Sequence, residues 1–395
     1  MIPYSTQTIE YDDLEAVRDV LTSPFLTCGP KITEFEDKVC TYTGANFAVG
    51  VNSCTSALHL AMIALGVSKG DRVFVSAISF VASSNCARYQ GADVDFIDVD
   101  KYTGNLDVDS LEQMLIDADK EHRLPKVVVA VHLSGRAVDL ERIAKLKTKY
   151  GFYLIEDAAH AFGAIYHDTM IGSCKFSDIT VLSFHPVKII TTAEGGMCLT
   201  NNENLYKLMR KFSTHGIEHN LDALENKDMP PYYYEMQDLG FNYRLSDFQA
   251  ALGISQLAKV DELLRKRREI AHDYQELLGD NENLTLPVAD TPKSISSWHL
   301  YQVGIKGDFR DTVYKTLRSR GIGVQIHYLP IYDHPYYKKL KDYPLLDGAE
   351  YFFKHTLSIP LYPNLKKLDM QMVAATLQSV VDNLNAVSYT HLRAH

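Results

Sequence analysis

Short apolar runs alternate with helix-like stretches over residues 47–201 of the chain. The apolar runs cover residues 47–51, 73–75, 94–97, 127–131, 152–155 and 179–183. Strands that alternate with helices in this way are typical of a mostly parallel sheet whose two faces are covered by helices. The pattern therefore predicts an α/β fold for this part of the chain.

The remaining parts of the chain show a different pattern. A helix is predicted over residues 12–21, and a long helix is predicted from residue 247 to about residue 278, after the capping residue Ser246 and before Gly279. The C-terminal part then predicts a strand, a helix, a second strand and a final helix, over residues 300–305, 309–320, 324–328 and 368–384. This order indicates a small α+β domain.

The length of the chain predicts more than one domain. A chain of 395 residues is too long for one simple core and fits two domains. We expect a large domain over residues 1–255 and a small C-terminal domain over residues 256–387, bridged by the long helix over about 247–278. Residues 388–395 do not continue the helical pattern, and we predict that they are a non-native tail.

Composition excludes several classes of protein. Hydrophobic residues at 46% and charged residues at 23% are ordinary for a globular protein. A net charge of −10 argues against nucleic-acid binding, which needs a basic surface. The sequence shows neither a signal peptide nor a run of about 20 apolar residues that could cross a membrane. The six cysteines lack metal-ligand spacing and a disulfide framework, so we expect reduced thiols, no metal site and a cytoplasmic location.

The stretch from Ser183 to Gly196 carries the first candidate chemistry. Lys188 in this stretch comes just after a predicted buried strand, and ligands of open α/β sheets collect at the carboxyl ends of strands. Burial lowers the pKa of a lysine towards the range in which its amine is a nucleophile, and such lysines form Schiff bases with carbonyl cofactors. Taken alone, however, a lysine near a turn is more often simply solvated.

Two further segments point to pyridoxal phosphate as the carbonyl cofactor. Asp157 follows an apolar run, where a carboxylate needs a partner such as the ring nitrogen of that cofactor. The segment with Cys54, Thr55 and Ser56 opens a helix after a strand, and amides and hydroxyls at a helix N-terminus bind phosphate. Ser183 could add a further hydroxyl to that phosphate site.

With these motifs in this order, the chain resembles the DegT-type sugar aminotransferases, a pyridoxal-phosphate family that acts on nucleotide-linked keto-sugars. The resemblance runs from residue 2 to about residue 384. Within the family, residues 184–188, 240–246 and 324–332 most resemble the members of the pseudaminic acid pathway. The resemblance implies a fold-type-I aminotransferase, with a large, mostly parallel α/β domain and a small C-terminal α+β domain.

The resemblance also implies roles for particular residues. It implies that Lys188 holds pyridoxal 5'-phosphate as an internal aldimine and that Asp157 keeps the ring nitrogen protonated. Phe80 would stack on the ring, although a phenylalanine is more often a core residue, and His160 would lie near the phenolic oxygen of the ring, although it could be a packed structural histidine. Asn242 would reach the cofactor phosphate of the partner subunit, which implies a homodimer with shared active sites.

Five residues are candidates for substrate contact. The resemblance favours His327 and Tyr328, which lie in a loop rich in aromatics and histidines that could instead pack on the core. His185 is a further candidate. Glu194 could handle substrate or stabilise a turn, and Arg244 could bind a phosphate or a carboxylate or pair with an acid.

The resemblance implies transfer of an amino group from L-glutamate to the 4-keto carbon of a UDP-linked 4-keto-6-deoxy-N-acetylamino sugar. Alternatives are a family member that acts on another nucleotide keto-sugar or on a 3-keto position, and a regulator that binds the cofactor without turnover. Sugar dehydratases of this fold have histidine at the position that matches Lys188, so the lysine argues against that class. A nicotinamide dehydrogenase is disfavoured because residues 52–56 are not a Gly-x-Gly-x-x-Gly fingerprint.

Overall fold

The computed structural model describes residues 1–393, without the side chains of Asn385 and of residues 387–393. In chain order the strands are β1 (Phe47–Val51), β2 (Arg72–Ser76), β3 (Asp93–Ile97), β4 (Val127–Val131), β5 (Tyr153–Asp157), β6 (Ile165–Tyr166), β7 (Thr169–Met170), β8 (Ile179–Ser183), β9 (Gly196–Thr200), β10 (Ile217–Glu218), β11 (Glu235–Met236), β12 (Leu284–Thr285), β13 (Ser294–Ile295), β14 (Tyr301–Ile305) and β15 (Thr356–Ile359). The helices are α1 (Tyr11–Leu21), α2 (Pro30–Thr43), α3 (Cys54–Ala64), α4 (Ala82–Tyr89), α5 (Val108–Lys120), α6 (Leu140–Tyr150), α7 (Glu203–Ser213), α8 (Asp247–Ala258), α9 (Val260–Leu278), α10 (Arg310–Ser319), α11 (Pro335–Lys338), α12 (Asp347–His355) and α13 (Lys367–Arg393).

The centre of the molecule is a seven-stranded sheet in the order β1-β9-β8-β5-β4-β2-β3. Strands β8, β5, β4, β2 and β3 pair in parallel, whereas β9 runs antiparallel to both β8 and β1. The prediction of a mostly parallel α/β sheet is therefore confirmed. Each predicted apolar run from residue 47 to residue 183 lies in one of these strands, except that Phe152 comes just before β5.

Helices cover both faces of this sheet, so successive strand residues enter two different cores. Leu154 of β5 packs in the core that includes α5, α6 and α8, whereas its neighbour Ile155 packs in the core that includes α3 and α4. This alternation follows from the two-residue period of a strand. It sends the next two residues, Glu156 and Asp157, to opposite faces of the sheet.

A second, smaller sheet lies in the C-terminal part of the chain. Strands β12, β14 and β15 pair antiparallel and share a third core with α9, α10 and α13. Ile331 and Phe352, in contrast, pack in the core on the α3 side of the large sheet. The domain boundary at residue 255 stays a prediction. In the described part of the chain, no helix is both long enough and apolar enough to cross a membrane.

Two predicted elements are corrected by the structure. The long helix predicted over residues 247–278 is two helices, α8 and α9, which meet at Lys259. The amino group of Lys259 lies 2.8 Å from the carboxylates of Asp12 and Asp13 in the first turn of α1, and these ion pairs accompany the break. The strand predicted over residues 324–328 is reduced to one bridge, in which Gln325 exchanges backbone hydrogen bonds with Ser358. The chain then leaves the sheet.

The end of the chain also differs from the prediction. The final helix, predicted to end at residue 384, continues to Arg393. The predicted non-native tail, residues 388–395, is therefore helical as far as Arg393, and residues 394 and 395 lie outside the described residues.

Candidate active site

A cavity of about 430 Å³ lies at the carboxyl ends of β5 and β8. Asp157 and Ser183, the last residues of these two strands, both line it. The first turn of α3 and the C-terminal residues His327 and Tyr328 complete its walls. Because β5 and β8 are parallel neighbours, the sheet brings together side chains that are far apart in sequence, at the edge where such sheets bind ligands.

Lys188 lines this cavity from the loop between β8 and β9. Backbone hydrogen bonds brace the loop, since Phe184 donates to the carbonyl of Gly195 at 3.0 Å and Thr192 donates to the carbonyl of Phe184 at 2.9 Å. Burial lowers the pKa of Lys188 from 10.5 to about 8, and the nearby charge of Asp157 opposes this shift only in part. A usable fraction of the amine is therefore unprotonated and nucleophilic near neutral pH.

Asp157 is 4% exposed and accepts two hydrogen bonds from the protein. Ser83 donates its hydroxyl to Oδ2 at 2.6 Å, and the backbone N–H of Ala159 donates to Oδ1 at 3.1 Å. The Ser83 hydroxyl also lies 2.6 Å from that of Ser79. An ionised carboxylate can accept about four hydrogen bonds, so Asp157 keeps acceptor capacity for a donor in the cavity.

The first turn of α3 supplies hydrogen-bond donors on another side of the cavity. Ser53 caps the helix, because its hydroxyl oxygen accepts the backbone N–H of Ser56 at 3.1 Å. Cys54 and Thr55 follow in the first turn, where backbone amides have no carbonyl of an earlier turn to bond. Gly196 packs against this turn, and a Cβ there would lie 2.5 Å from backbone atoms of Ser53 and Cys54. The close approach of β9 therefore requires glycine.

Aromatic rings form the remaining wall. The rings of Phe80 and Tyr328 lie 6.2 Å apart, and those of Tyr4 and His327 lie 5.5 Å apart, both measured between centroids. Burial lowers the pKa of His327 to about 3 and holds the pKa of His160 well below its usual value. Both histidines are therefore neutral at physiological pH, and this wall presents rings rather than charges.

Most of the predicted site residues line this cavity. They are Cys54, Thr55, Phe80, Asp157, His160, Ser183, His185, Lys188, Glu194, His327 and Tyr328. Ser56, Asn242 and Arg244 lie outside it. Ser56 is buried and donates its hydroxyl to Oδ1 of Asn52 at 2.7 Å. Asn242 is exposed, and the backbone of Arg244 pairs with Val51 beside the α3 turn.

Four polar residues that line the cavity were not predicted from the sequence, namely Tyr4, Ser53, Ser79 and Ser83. Ser53 had a usable signal, since a serine just before an apolar helix is typical of an N-cap. Ser79 and Ser83 had none, because the bond from Ser83 to Asp157 joins residues 74 positions apart and Ser79 reaches Asp157 only through Ser83.

Comparison with known proteins identifies the family. The model of the DegT/DnrJ/EryC1/StrS aminotransferase family matches residues 7–378. The chain belongs to this family. It is 39% identical over 388 residues to UDP-4-amino-4,6-dideoxy-N-acetyl-beta-L-altrosamine transaminase of Campylobacter jejuni, with 97% of this chain and 98% of that protein covered.

Solved structures of DegT/DnrJ/EryC1/StrS aminotransferases have the same fold. Helicobacter pylori PseC, an aminotransferase involved in the biosynthesis of pseudoaminic acid, superposes with a TM-score of 0.88 at 32% identity, covering 97% of this chain and 99% of that chain. Spr1654 of Streptococcus pneumoniae, assigned as a sugar aminotransferase and solved in its PLP form, superposes with a TM-score of 0.86 at 27% identity, covering 97% and 99%. The predicted fold-type-I architecture is confirmed.

This family member is therefore a sugar aminotransferase, and its family indicates pyridoxal phosphate as the cofactor. The donor set of the cavity fits that group. A buried carboxylate with spare acceptor capacity, hydroxyls and free amides at a helix N-terminus, and a lysine of lowered pKa all line one space.

Proposed function

We propose that this enzyme transfers an amino group from L-glutamate to the 4-keto carbon of a UDP-linked 4-keto-6-deoxy-N-acetylamino sugar, as in pseudaminic acid biosynthesis. The observation that carries the chemistry is that Lys188 and Asp157 line one cavity at adjacent strand ends. The sugar is proposed from the match to the Campylobacter jejuni transaminase over nearly the whole of both chains.

Lys188 is the proposed covalent attachment point of the cofactor and the group that moves the proton. Pyridoxal phosphate, when bound, supplies an electron-withdrawing ring that accepts the electrons of the broken C–H bond. Lys188 Nζ would take the proton from the α-carbon of the amino donor as a base, and a pKa of about 8 suits this amine to both accept and release a proton. The carboxylate of Asp157 would hold a proton on the ring nitrogen, and the hydrogen bond from Ser83 fixes the carboxylate in place.

The remaining residues of the cavity divide into a phosphate side and a substrate side. Cys54 and Thr55 in the first turn of α3, with Ser183, would bind the phosphate. Ser56 would contribute indirectly, by fixing the loop through its bond to Asn52. Phe80 would stack on the cofactor ring, and His160 would lie near the phenolic oxygen of that ring. On the substrate side, the proposed contacts in the cavity are His185, Glu194, His327 and Tyr328.

The active enzyme is a proposed homodimer with shared active sites. Asn242 is exposed and does not line the cavity of its own chain, as expected of a residue that serves the partner subunit. Tyr232 and Leu239, which precede Asn242 in sequence, are 81% and 79% exposed, and the partner would cover this apolar surface in the proposed dimer. Arg244, two residues after Asn242, is a proposed ligand of substrate anions. A cytoplasmic location is proposed separately, from the free cysteines.

The test is visible absorption spectroscopy of the purified protein. A yellow protein should lose its colour with L-glutamate alone and regain it when the UDP-4-keto sugar is added. If the protein loses its colour but regains it only with another nucleotide keto-sugar, the proposed transamination stands and the proposed substrate is wrong. A yellow protein that ignores every amino donor would instead be a non-catalytic cofactor binder.

A further inference from the structure

His160 uses both of its ring nitrogens within the protein. The backbone N–H of Ser134 donates to Nδ1 at 3.2 Å, and the hydroxyl of Tyr328 lies 3.3 Å from Nε2. A backbone amide can only donate, so Nδ1 must be the accepting nitrogen. A neutral imidazole that accepts at Nδ1 carries its hydrogen on Nε2. His160 is buried beside Lys188 and His327, where an additional positive charge is unfavourable.

This tautomer fixes the direction of the bond between His160 and Tyr328. Nε2–H donates, so the phenolic oxygen of Tyr328 accepts. The single hydrogen of that hydroxyl then has to point elsewhere, and the Tyr328 hydroxyl has no other hydrogen-bond partner among the residues described. Because Tyr328 lines the cavity with Lys188 and Asp157, its O–H is directed at whatever binds there.

We propose that Tyr328 donates this hydrogen bond to the ketone oxygen of the sugar, and that His160 and the backbone amide of Ser134 are positioning groups that set its direction. This inference rests on the proposed function, since it takes a keto-sugar as the ligand. A ketone oxygen has no hydrogen of its own and can only accept, which matches a hydroxyl whose hydrogen still needs an acceptor. The hydrogen bond polarises the ketone for attack by an amine.

Two further contacts hold His327, the residue before Tyr328, in place. The carbonyl of the preceding residue, His327, accepts a hydrogen bond from the side-chain amide of Gln302 at 3.0 Å. The ring of His327 lies 2.8 Å from the hydroxyl of Ser358 through Nδ1. The hydroxyl of Ser134 donates to the same Gln302 side chain, so one residue joins the backbone before Tyr328 to the turn that orients His160.

Burial keeps Tyr328 a donor. It raises the pKa of the phenol above its usual value, with the nearby Tyr4 and the charge of Asp157 acting in the same direction. The phenol is therefore protonated throughout the working pH range. The phenolic oxygen of the cofactor is the alternative acceptor for the Tyr328 hydroxyl. Comparing the rates of the two half-reactions distinguishes it from the ketone oxygen of the sugar.

The first test is Tyr328→Phe, which removes the hydroxyl and keeps the ring. Colour loss with L-glutamate should stay within about twofold of wild type, because that step involves no ketone. Colour recovery with the UDP-4-keto sugar should slow by roughly 10- to 100-fold, as for loss of one oriented donor at a reacting oxygen. Tyr336→Phe is the matched control, since Tyr336 is half-exposed and outside the cavity, and both of its half-reactions should equal wild type.

Three outcomes of this experiment overturn the assignment. Equal slowing or no slowing of both half-reactions in Tyr328→Phe would remove the ketone oxygen as the acceptor. A changed visible absorption band in the resting Tyr328→Phe protein, or a changed pH dependence of that band, would assign the hydrogen bond to the cofactor instead. If wild type loses colour with glutamate but no UDP-4-keto sugar restores it, the proposed substrate fails, and the ketone assignment fails with it.

A second test needs neither substrate nor activity. In protein labelled with ¹⁵N-histidine and freed of cofactor, the His160 resonances, assigned by their loss in His160→Gln, should show hydrogen on Nε2 and none on Nδ1. Hydrogen on Nδ1, or on both nitrogens near pH 7, would overturn the proposed direction of the bond to Tyr328. Because this readout is independent of the sugar, it separates an error in the hydrogen-bond direction from an error in the substrate.

Discussion

Glu156 and Asp157 are consecutive carboxylates on β5, and they have opposite fates. Both are buried, with 2% and 4% of their surface exposed. Glu156 points into the core on the α6 side of the sheet, where His132 Nε2 lies 2.8 Å from Oε2 and the hydroxyls of Ser177 and Thr180 donate to Oε1. The carboxylate of Glu156 therefore bonds only to protein.

Asp157 points to the other face and bonds to protein on one side only. It accepts from Ser83 and from the backbone of Ala159, while its open side meets the cavity that Lys188 also lines. A buried carboxylate with unused acceptor capacity is unfavourable until a ligand completes it. The comparison teaches that burial alone does not distinguish a structural acid from a functional one. The number of hydrogen-bond partners that the protein itself supplies distinguishes the two acids.

The largest expected effect comes from removing the amine of Lys188, which lines the cavity together with Asp157. Lys188→Met keeps the apolar stem and should reduce turnover by more than about 10⁴-fold, because the proposed covalent attachment and proton transfer both need the amine. Lys207→Ala, on the exposed face of α7, should equal wild type. Single-turnover colour change measures this, and normal turnover in Lys188→Met would contradict the assignment.

The same substitution should stabilise the protein when the cofactor is absent. A lysine pKa lowered from 10.5 to about 8 means that the protonated amine opposes folding near neutral pH. Lys188→Met should therefore raise the free energy of unfolding by about 1–2 kcal/mol at pH 7, less than the full shift implies because the amine faces an open cavity. The difference should vanish as the pH rises from about 8 to 10.5, where the wild-type amine loses its charge in the unfolded chain as well.

The second-largest effect separates the two acids directly. Asp157→Asn keeps the shape of the side chain but removes the charge opposite a protonated ring nitrogen, so turnover should fall by about 10²- to 10³-fold. The free energy of unfolding should change by less than about 1 kcal/mol, since the amide oxygen can accept from the backbone N–H of Ala159 while the NH2 group donates to the Ser83 hydroxyl, which can turn its own hydrogen to Ser79. Steady-state turnover and urea unfolding of the same sample check both parts. A stability loss that accounts for all of the lost turnover would make Asp157 a structural residue like Glu156.

Sequence patterns could predict the functional acid and the lysine but not the side chains that hold them. Asp157 ends one apolar strand and Lys188 lies in the loop after another, so the local sequence predicts where both residues lie relative to the sheet. Ser83 reaches Asp157 across 74 positions of sequence, and Ser134 acts on His160 through a backbone amide. Every residue except proline has a backbone N–H, so the residue type at 134 does not reveal that donor. The contact between Ser83 and Asp157 is set by the tertiary fold and leaves no periodic pattern in the local sequence.

The errors in the fold have the same origin. The pattern over residues 247–278 is helical throughout, yet the helix breaks at Lys259, whose carboxylate partners lie near the start of the chain. The segment over residues 324–328 has strand-like composition, but only Gln325 pairs, and the chain then turns to bring His327 and Tyr328 to the cavity. Local propensity is weaker than tertiary contacts in both places.

The third prediction tests the structural side of the comparison. In Glu156→Gln, the new amide group faces donors, since His132 accepts the backbone N–H of Val138 at Nδ1 and so presents Nε2–H to residue 156. At least one buried donor loses its acceptor, and the free energy of unfolding should fall by about 2–3 kcal/mol. Turnover per folded molecule should stay within about twofold of wild type. A drop in turnover like that of Asp157→Asn, without lost stability, would mean that the two acids share a function.

The smallest expected effect tests how Asp157 is held. Ser83→Ala removes the shorter of the two hydrogen bonds to its carboxylate and should lower the free energy of unfolding by about 1 kcal/mol and turnover by about three- to tenfold. Ser79→Ala should do less, because Ser79 bonds to Ser83 rather than to Asp157. If Ser83 acts through the charge of Asp157, its substitution should add little to the turnover loss of Asp157→Asn. A full tenfold loss in that background would mean that Ser83, which also lines the cavity, contacts the ligand itself.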